Sequence, residues 1–225
     1  MAELQKSDDI EEDALAAKRT FDARWTESHL QKRGELKQLF DFMVRARVLR
    51  YLEIGSRNGH STYILGGAVE HHVTCIDWPG VSWGQPNSSV KLSHAASRLE
   101  KEGKTTELLF GDSHSRGLRT EAARHGPYDF MFLDGDHTAR GVRQDYLDYR
   151  SLVTPNGFIA FHDITADPEK SGNIDKNGPI EVAKVWHEIK CHPRSSNTWE
   201  FVDVGSDYGI GVVDNAECYL LGVND

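Results

Sequence analysis

Cysteine is scarce: three residues, Cys75, Cys191 and Cys218, lie far apart in 225 positions and form no CxxC pair. Such an odd, dispersed set supplies neither a disulfide framework nor a zinc ribbon, and reads as reduced thiols in a cytoplasmic protein. Positive charge is also in deficit, with 26 Lys and Arg against 35 Asp and Glu and a net charge of −9. A general nucleic-acid binder needs a positive footprint on phosphates, so no nucleic-acid partner is expected. No apolar run approaches the roughly 18 residues that span a bilayer, so no membrane partner is expected either. The opening MAELQKSDDIEEDALAAKRT is acidic and lacks the apolar stretch of a signal peptide. Internal repeats and low-complexity tracts are missing too.

What the chain does have is core-forming material, 38% hydrophobic residues and 9% aromatics, in recurrent Val/Ile/Leu/Phe runs. A chain of this length buries roughly 70% of its unfolded surface and needs no covalent staple. Residues 8–46 read as helical. Leu36, Leu39, Phe40, Met43 and Val44 recur at helical spacing and give one apolar face, while the earlier part is more polar and reads as a loosely attached helix. Residues 1–46 are therefore expected to form an N-terminal helical segment, either a lid or a dimer contact, ahead of a main domain over 47–225.

From Val48 the texture changes. VLRYLEIG, HVTCID (72–77), TELLFGD (106–112), YDFMFLD (128–134) and GFIAFHD (157–163) are short apolar runs of the kind that form doubly buried strands. Helix-length segments separate them, near 60–70, 88–102, 114–125 and 138–152. Such alternation predicts an α/β fold, a doubly wound and mostly parallel sheet with helices on both faces. WEFVDV (199–204) and YGIGVV (208–213) are separated by only three residues, too few for a crossover, so the chain closes with an antiparallel hairpin.

Ligands of open α/β sheets bind outside the carboxyl ends of the strands. Each run ends in an acid or a glycine there: Glu53 and Gly55, Asp77, Asp112, Asp134 with Asp136, and His162 with Asp163. One such acid is commonly a cap or turn residue, but five along one edge point to a function. In LEIGSRNGHST, Gly55 and Gly59 let the backbone approach a ligand as a helix begins. The spacing is G-x-x-x-G rather than the G-x-G-x-x-G of dinucleotide sites, and the preceding Glu53 suits a cationic ligand better than a pyrophosphate. Asp77, at the end of the next strand, is placed to take both hydroxyls of a ribose, a feature that NAD enzymes share.

LEIGSRNGHST, CIDWPG, FGDSHS and FLDGDH, in this order, resemble the class I S-adenosylmethionine-dependent methyltransferases over about residues 48–214. The resemblance implies their seven-stranded, Rossmann-like methyltransferase fold with the closing antiparallel strand. It implies that Glu53, Gly55, Ser56, Gly59 and Ser61 line the methionine and ribose end of S-adenosyl-L-methionine. Asp77 would bind the ribose hydroxyls with Trp78 beside it, Asp112 and Ser113 would meet the adenine, and Asp134 would close the cofactor site. The stretch FLDGDHTARGVRQDYLDYRSLVTPNGFIAFHDI further resembles metal-dependent O-methyltransferases of the catechol type and of the sugar and macrolide type. It implies a divalent cation on Asp134, His162 and Asp163. Oxygen ligands favour Mg²⁺, and the imidazole, where those relatives usually carry a carboxylate, shifts the preference toward Mn²⁺.

His137, three residues after Asp134, matches the general base of the sugar-type relatives; a neutral imidazole suits that task near neutral pH. Asp136 reads as its orienting partner or as an N-cap. Of the other histidines, His71 and His72 precede a strand and are expected at the surface, His114 touches only the cofactor, and His187 and His192 flank a helix C-terminus. Two loops, DWPGVSWGQPNSSV and ITADPEKSGNIDKNGP, are expected to shape the acceptor site, and their polarity fits a small hydroxylated acceptor such as a sugar or polar natural product. Three readings compete: a metal-independent methyltransferase with His137 as base, an NAD-dependent oxidoreductase, and a non-catalytic cofactor-binding module. Related enzymes are often oligomeric, which leaves a homo-oligomer open.

Overall fold

The five apolar runs form five parallel strands, because their β-branched and aromatic side chains fill a pleated surface covered on both faces. A computed structural model describes residues 2–25, 31–79, 87–167, 169, 174–175, 178–192 and 197–215. The strands are β1 (Arg50–Ile54), β2 (His72–Asp77), β3 (Thr105–Phe110), β4 (Tyr128–Leu133) and β5 (Val153–His162). A two-stranded ladder, β6 (Ile174–Asp175) with β7 (Gly178–Pro179), lies in the second polar loop, and β8 (Thr198–Phe201) and β9 (Ile210–Asp214) are the last strands of the described residues. The seven-stranded sheet runs β3-β2-β1-β4-β5-β9-β8. The closing hairpin is antiparallel as expected, but β9 inserts between β5 and β8, antiparallel to both, so β8 and not the last strand forms the sheet edge.

Among the described residues, seven α-helices accompany these strands: α1 (Ala2–Arg24), α2 (Arg33–Ala46), α3 (His60–Leu65), α4 (Ser88–Lys101), α5 (Arg116–Ala123), α6 (Ala139–Tyr149) and α7 (Val182–Lys190). Strand alternation sorts the core into two layers. Leu52, Ile54, Met131 and Leu133 pack with Val142 and Tyr146 of α6 and Val185 and Trp186 of α7. Tyr51, Phe130 and Phe132 pack on the other face with Leu36, Leu39, Phe40 and Met43 of α2, Ile64 of α3 and Leu92 of α4. None of the helices in the described residues is long and apolar enough to cross a membrane.

The stretch expected to be helical over 8–46 is two helices, and α2 shares its core with the sheet. The end of α1, expected to be loosely attached, is docked: Phe21 is fully buried with its ring edge-on to Phe40 at 5.5 Å. Arg24 Nη1 donates to the Tyr63 carbonyl at 2.7 Å and its guanidinium pairs with Glu102. His72 is also a correction. It opens β2 as a buried residue, Nε2 lying 2.9 Å from Thr74 Oγ1 and the ring stacked on His125. Burial, with the nearby charges of Arg50 and His125, pushes its pKa down to about 4. His71 is exposed as expected. Cys75 is a buried free thiol in β2 and Cys191 an exposed one after α7; Cys218 and residues 80–86 of the first loop lie outside the described residues.

The topological switch falls between β1 and β4, and the G-x-x-x-G turn leaves β1 there. Gly55 has φ +93°, and a Cβ on it would stand 2.0 Å from the Asp134 carbonyl oxygen at the end of β4. Gly59 has φ +72°, and a Cβ on it would stand 2.7 Å from Ala95 Cβ on α4. Both glycines thus admit neighbouring parts of the chain, where the sequence pattern suggested room for a ligand.

Two substitutions probe this frame. Phe40→Ala is expected to lower unfolding free energy by about 3–5 kcal/mol through loss of core contacts, measured by urea denaturation. In the same assay Gly55→Ala should cost more than the ~1–2 kcal/mol of a left-handed backbone alone, because Asp134 must also move. A smaller loss would mean that the two strand ends are not held in register at this point.

Candidate active site at the strand ends

Four side chains meet where β4 and β5 end. Asp134 follows β4, His137 stands three residues on in the turn into α6, His162 ends β5 and Asp163 follows it. His162 Nδ1 lies 3.1 Å from Asp134 Oδ1 and 3.1 Å from Asp163 Oδ1. His137 bridges the same two carboxylates, Nε2 at 3.3 Å from Asp134 Oδ1 and Nδ1 at 3.6 Å from Asp163 Oδ2. The side chains of His162 and Asp163 are 4% exposed, and those of Asp134 and His137 are 13% and 15% exposed, so the second pair is the one that faces outward.

These groups set one another's charge. Burial alone would push the Asp134 carboxyl up, but the charges of His162 and His137 hold it well below the usual carboxylate range. Burial opposes charge on His137 too, yet contact with Asp134 and the charge of Asp163 push it up to about 9. His162 is raised for the same reason, against burial, by Asp134 and Asp163. Asp163 holds φ +62°, a left-handed backbone that Asp tolerates better than most residues.

Asp134, His162 and Asp163 each offer one ligand atom, all within 4.8 Å of one another. Both ring nitrogens of His162 and Asp163 Oδ1 are buried without an aligned hydrogen bond among the described residues. Buried polar atoms left in that state cost free energy, which a shared cation would recover for Asp163 and for one of the two His162 nitrogens. The three donors therefore fit a divalent ion.

Around this group the structure adds residues that sequence reasoning missed. Gln31 Nε2 donates to Asp134 Oδ2 at 2.9 Å. The Tyr208 ring stacks on His162, with centroids 6.0 Å apart, and Lys32 Nζ sits over the same ring at 5.2 Å. Glu35, fully buried at the start of α2, accepts from the backbone N–H of Asp203 at 3.0 Å and of Gly209 at 3.2 Å. Gln31 fell inside the stretch read as helical and Tyr208 at the head of the run read as the last strand, but α2 begins at Arg33 and β9 at Ile210, and nothing in either pattern marked a polar contact.

The expected cofactor residues spread along the same sheet edge, over the ends of β1, β2 and β3. Glu53 is fully buried under the turn, taking hydrogen bonds from Ser61 Oγ and, at 2.6 Å, from Thr62 Oγ1 in the first turn of α3. Burial raises its pKa to about 7, against those two hydroxyl donors. Ser56 is buried in the turn. Asp77 Oδ1 accepts from the Arg57 backbone N–H at 2.9 Å, and burial raises its pKa. Trp78 beside it is exposed.

Asp112 Oδ1 accepts from the His114 N–H at 2.9 Å, shaping the turn that carries Ser113. His114 does more than border that turn: its Nε2 lies 3.3 Å from Asp145 Oδ1, a carboxylate buried in α6, and that contact pushes its pKa up to about 9. Asp145 was legible as the one acid on the inner face of α6, three residues after Val142. Asp136 accepts from the Thr138 N–H at 2.9 Å, and Thr138 is the N-cap of α6, so Asp136 shapes the turn rather than capping the helix.

With the site described, comparison with known proteins adds the family. The profile of a methyltransferase domain matches residues 52–164, half of the chain, from β1 to just past Asp163. Among solved structures, the chain resembles the O-methyltransferase from Bacillus cereus in complex with SAH at 17% identity and TM-score 0.60, over 90% of each chain. It resembles the O-methyltransferase TomG from Streptomyces achromogenes, in complex with SAM, at 16% identity and TM-score 0.61, over 88% of this chain and 86% of that one. An SAH-bound methyltransferase from Podospora anserina aligns at 16% identity and TM-score 0.58, over 88% and 87%. At these identities the structures speak for the fold, and the domain match speaks for the family. The chain belongs to the methyltransferase-domain family and is a class I S-adenosylmethionine-dependent methyltransferase.

Proposed function

We propose that this chain transfers the methyl group of S-adenosylmethionine to a hydroxyl oxygen of a small polar acceptor, a sugar or hydroxylated natural product, at a centre built for a divalent cation. The observation that carries this reading is the convergence of Asp134, His137, His162 and Asp163 at the ends of β4 and β5.

S-adenosylmethionine supplies a methyl group already activated on sulfonium, so the chain's task is to position an oxygen and take its proton. The ends of β1, β2 and β3 carry the residues for the cofactor. Asp77, with Trp78 beside it, would take the ribose hydroxyls, Asp112 and Ser113 the adenine, and the turn from Gly55 to Ser61 the methionine end. Glu53, sealed beneath that turn by Ser61 and Thr62, acts by fixing the turn's shape. Asp134, His162 and Asp163 would hold the cation, which would lower the pKa of the acceptor hydroxyl and orient its oxygen. One imidazole among two carboxylates favours Mn²⁺ over Mg²⁺. With a cation on Asp134 and Asp163 offsetting the carboxylate charge that holds His137 protonated, the neutral imidazole, on the outward side of the group, would take the proton at Nε2.

A metal-independent variant has one observation in its favour. Two carboxylates flank His137 and would stabilise the imidazolium formed when its neutral form takes the proton, with no cation required.

Calorimetry and turnover separate these readings. The wild type is expected to bind S-adenosylmethionine and to show a separate Mn²⁺ heat. Asp134→Ala should abolish that heat while leaving a protein that folds. His137→Gln should keep cofactor binding and lower methyl transfer by about 10²–10⁴-fold, measured as S-adenosylhomocysteine formed with hydroxylated acceptors that the wild type uses. Turnover insensitive to both chelator and Asp134→Ala would leave the metal-independent variant standing. Binding of NAD in place of S-adenosylmethionine would overturn the whole reading.

A further inference from the structure

The cation-binding reading leaves a geometric problem. An aspartate's terminal torsion is broad and roughly two-fold, so a carboxylate serves a site well only when something else fixes its rotation. His162 and His137 both approach Asp134 through Oδ1, at 3.1 and 3.3 Å. The opposite oxygen, Oδ2, is held by a single side-chain donor among the described residues, Gln31 Nε2 at 2.9 Å. An ionised carboxylate only accepts hydrogen bonds, so the amide must present its NH₂ to Asp134 and turn its carbonyl oxygen away. Gln31 is 8% exposed, and its Oε1 is buried with no hydrogen-bond partner among the described residues. A buried acceptor left so carries an uncompensated desolvation cost.

The rest of the N-terminal arm holds Gln31 in place and braces the other ligand. Lys32 Nζ lies over the Tyr208 ring, and that ring stacks on His162. Glu35, one turn further on, grips the backbone of Asp203 and Gly209, the two ends of the segment that carries Tyr208. The arm therefore touches the outer side of Asp134 directly and the outer side of His162 through one aromatic ring.

We infer that Gln31 is a positioning residue of the cation centre: its amide N–H sets the rotation of Asp134 so that Oδ1 faces the cation, while its Oε1, turned away from the carboxylate, accepts from a water or hydroxyl. This rests on the cation reading proposed above. It assigns the segment before α2 a task in the centre itself, beyond covering it.

The test measures Mn²⁺ affinity, by calorimetry and by the free-Mn²⁺ EPR signal, for wild type and for Gln31→Met, which keeps length and loses both amide functions. Outer groups that orient a ligand typically contribute 10–100-fold to metal affinity. Gln31→Met is therefore expected to bind Mn²⁺ 10–100-fold more weakly, with S-adenosylhomocysteine affinity and the metal-free melting temperature unchanged. Wild-type Mn²⁺ affinity in Gln31→Met overturns the inference and leaves the cation centre standing. No Mn²⁺ binding by the wild type overturns the cation reading and this inference with it. Should Gln31→Met fail to fold, the side-chain amide resonance of Gln31 in the wild type decides: saturating Mg²⁺ should shift it, and a resonance that does not move overturns the proposal.

Discussion

The site hangs on the contact between the end of β1 and the end of β4. Asp134 N–H donates to the Ile54 carbonyl at 2.9 Å, and Gly55 N–H donates to the Ile76 carbonyl at 2.8 Å, so three adjacent parallel strands are tied together at their carboxyl ends. Gly55 has room for no Cβ because the Asp134 carbonyl passes where that atom would be. This close crossing is the topological switch of the sheet, where connections leave in opposite directions and open a space for ligands. It also brings the glycine turn and Asp134 to within one strand spacing. The two reacting partners need that proximity, since a methyl transfer gains most from near-attack placement.

Beside that crossing, the chain removes two carboxylates and two imidazoles from most of their water. Isolated charges would not survive this, and paired ones roughly break even against apolar replacements. The group is balanced in sign, with Asp134 held low and both histidines held high by mutual contact. Balance alone does not account for its geometry. Both ring nitrogens of His162 are buried without an aligned hydrogen bond among the described residues, and Asp163 beside it holds a left-handed backbone. Cost without local return is the usual mark of a site shaped for something else.

Much of this was legible in the sequence, and the reasons are physical. A parallel strand buried on both faces must be continuously apolar, so the five runs stood out, and the three-residue gap before YGIGVV left only a hairpin. Asp134, His162 and Asp163 stood out because they end or follow such runs, whereas His137 was marked only by the resemblance to the sugar-type methyltransferases. Glu53 shows where that logic stops. It ends a run too, but period-two alternation sets it on the face opposite Leu52 and Ile54, under the first turn of α3, where Ser61 and Thr62 take both its oxygens. His72 failed for a related reason. Its ring is covered by His125 from the end of α5, a contact 53 residues away that no local pattern reports.

Residues 1–46 carried the least legible part, because their apolar periodicity spoke only of a core. That core is real: α2 places Leu36, Leu39, Phe40 and Met43 against the sheet. The same helix sends its polar first turn the other way. Glu35 lies only one position from Leu36, and it reaches backbone groups 168 and 174 residues later in the chain. One helix thus fastens to the sheet by its apolar stripe and to the β8–β9 connection by a buried carboxylate. The outer wall of the centre is then made of two segments, around Gln31 and around Tyr208, neither of which is held by secondary structure of its own. Segments held only at their roots can change sequence without disturbing the sheet. Conserving the frame at Gly55 and Asp134 while varying such a wall is how one fold can serve different acceptors.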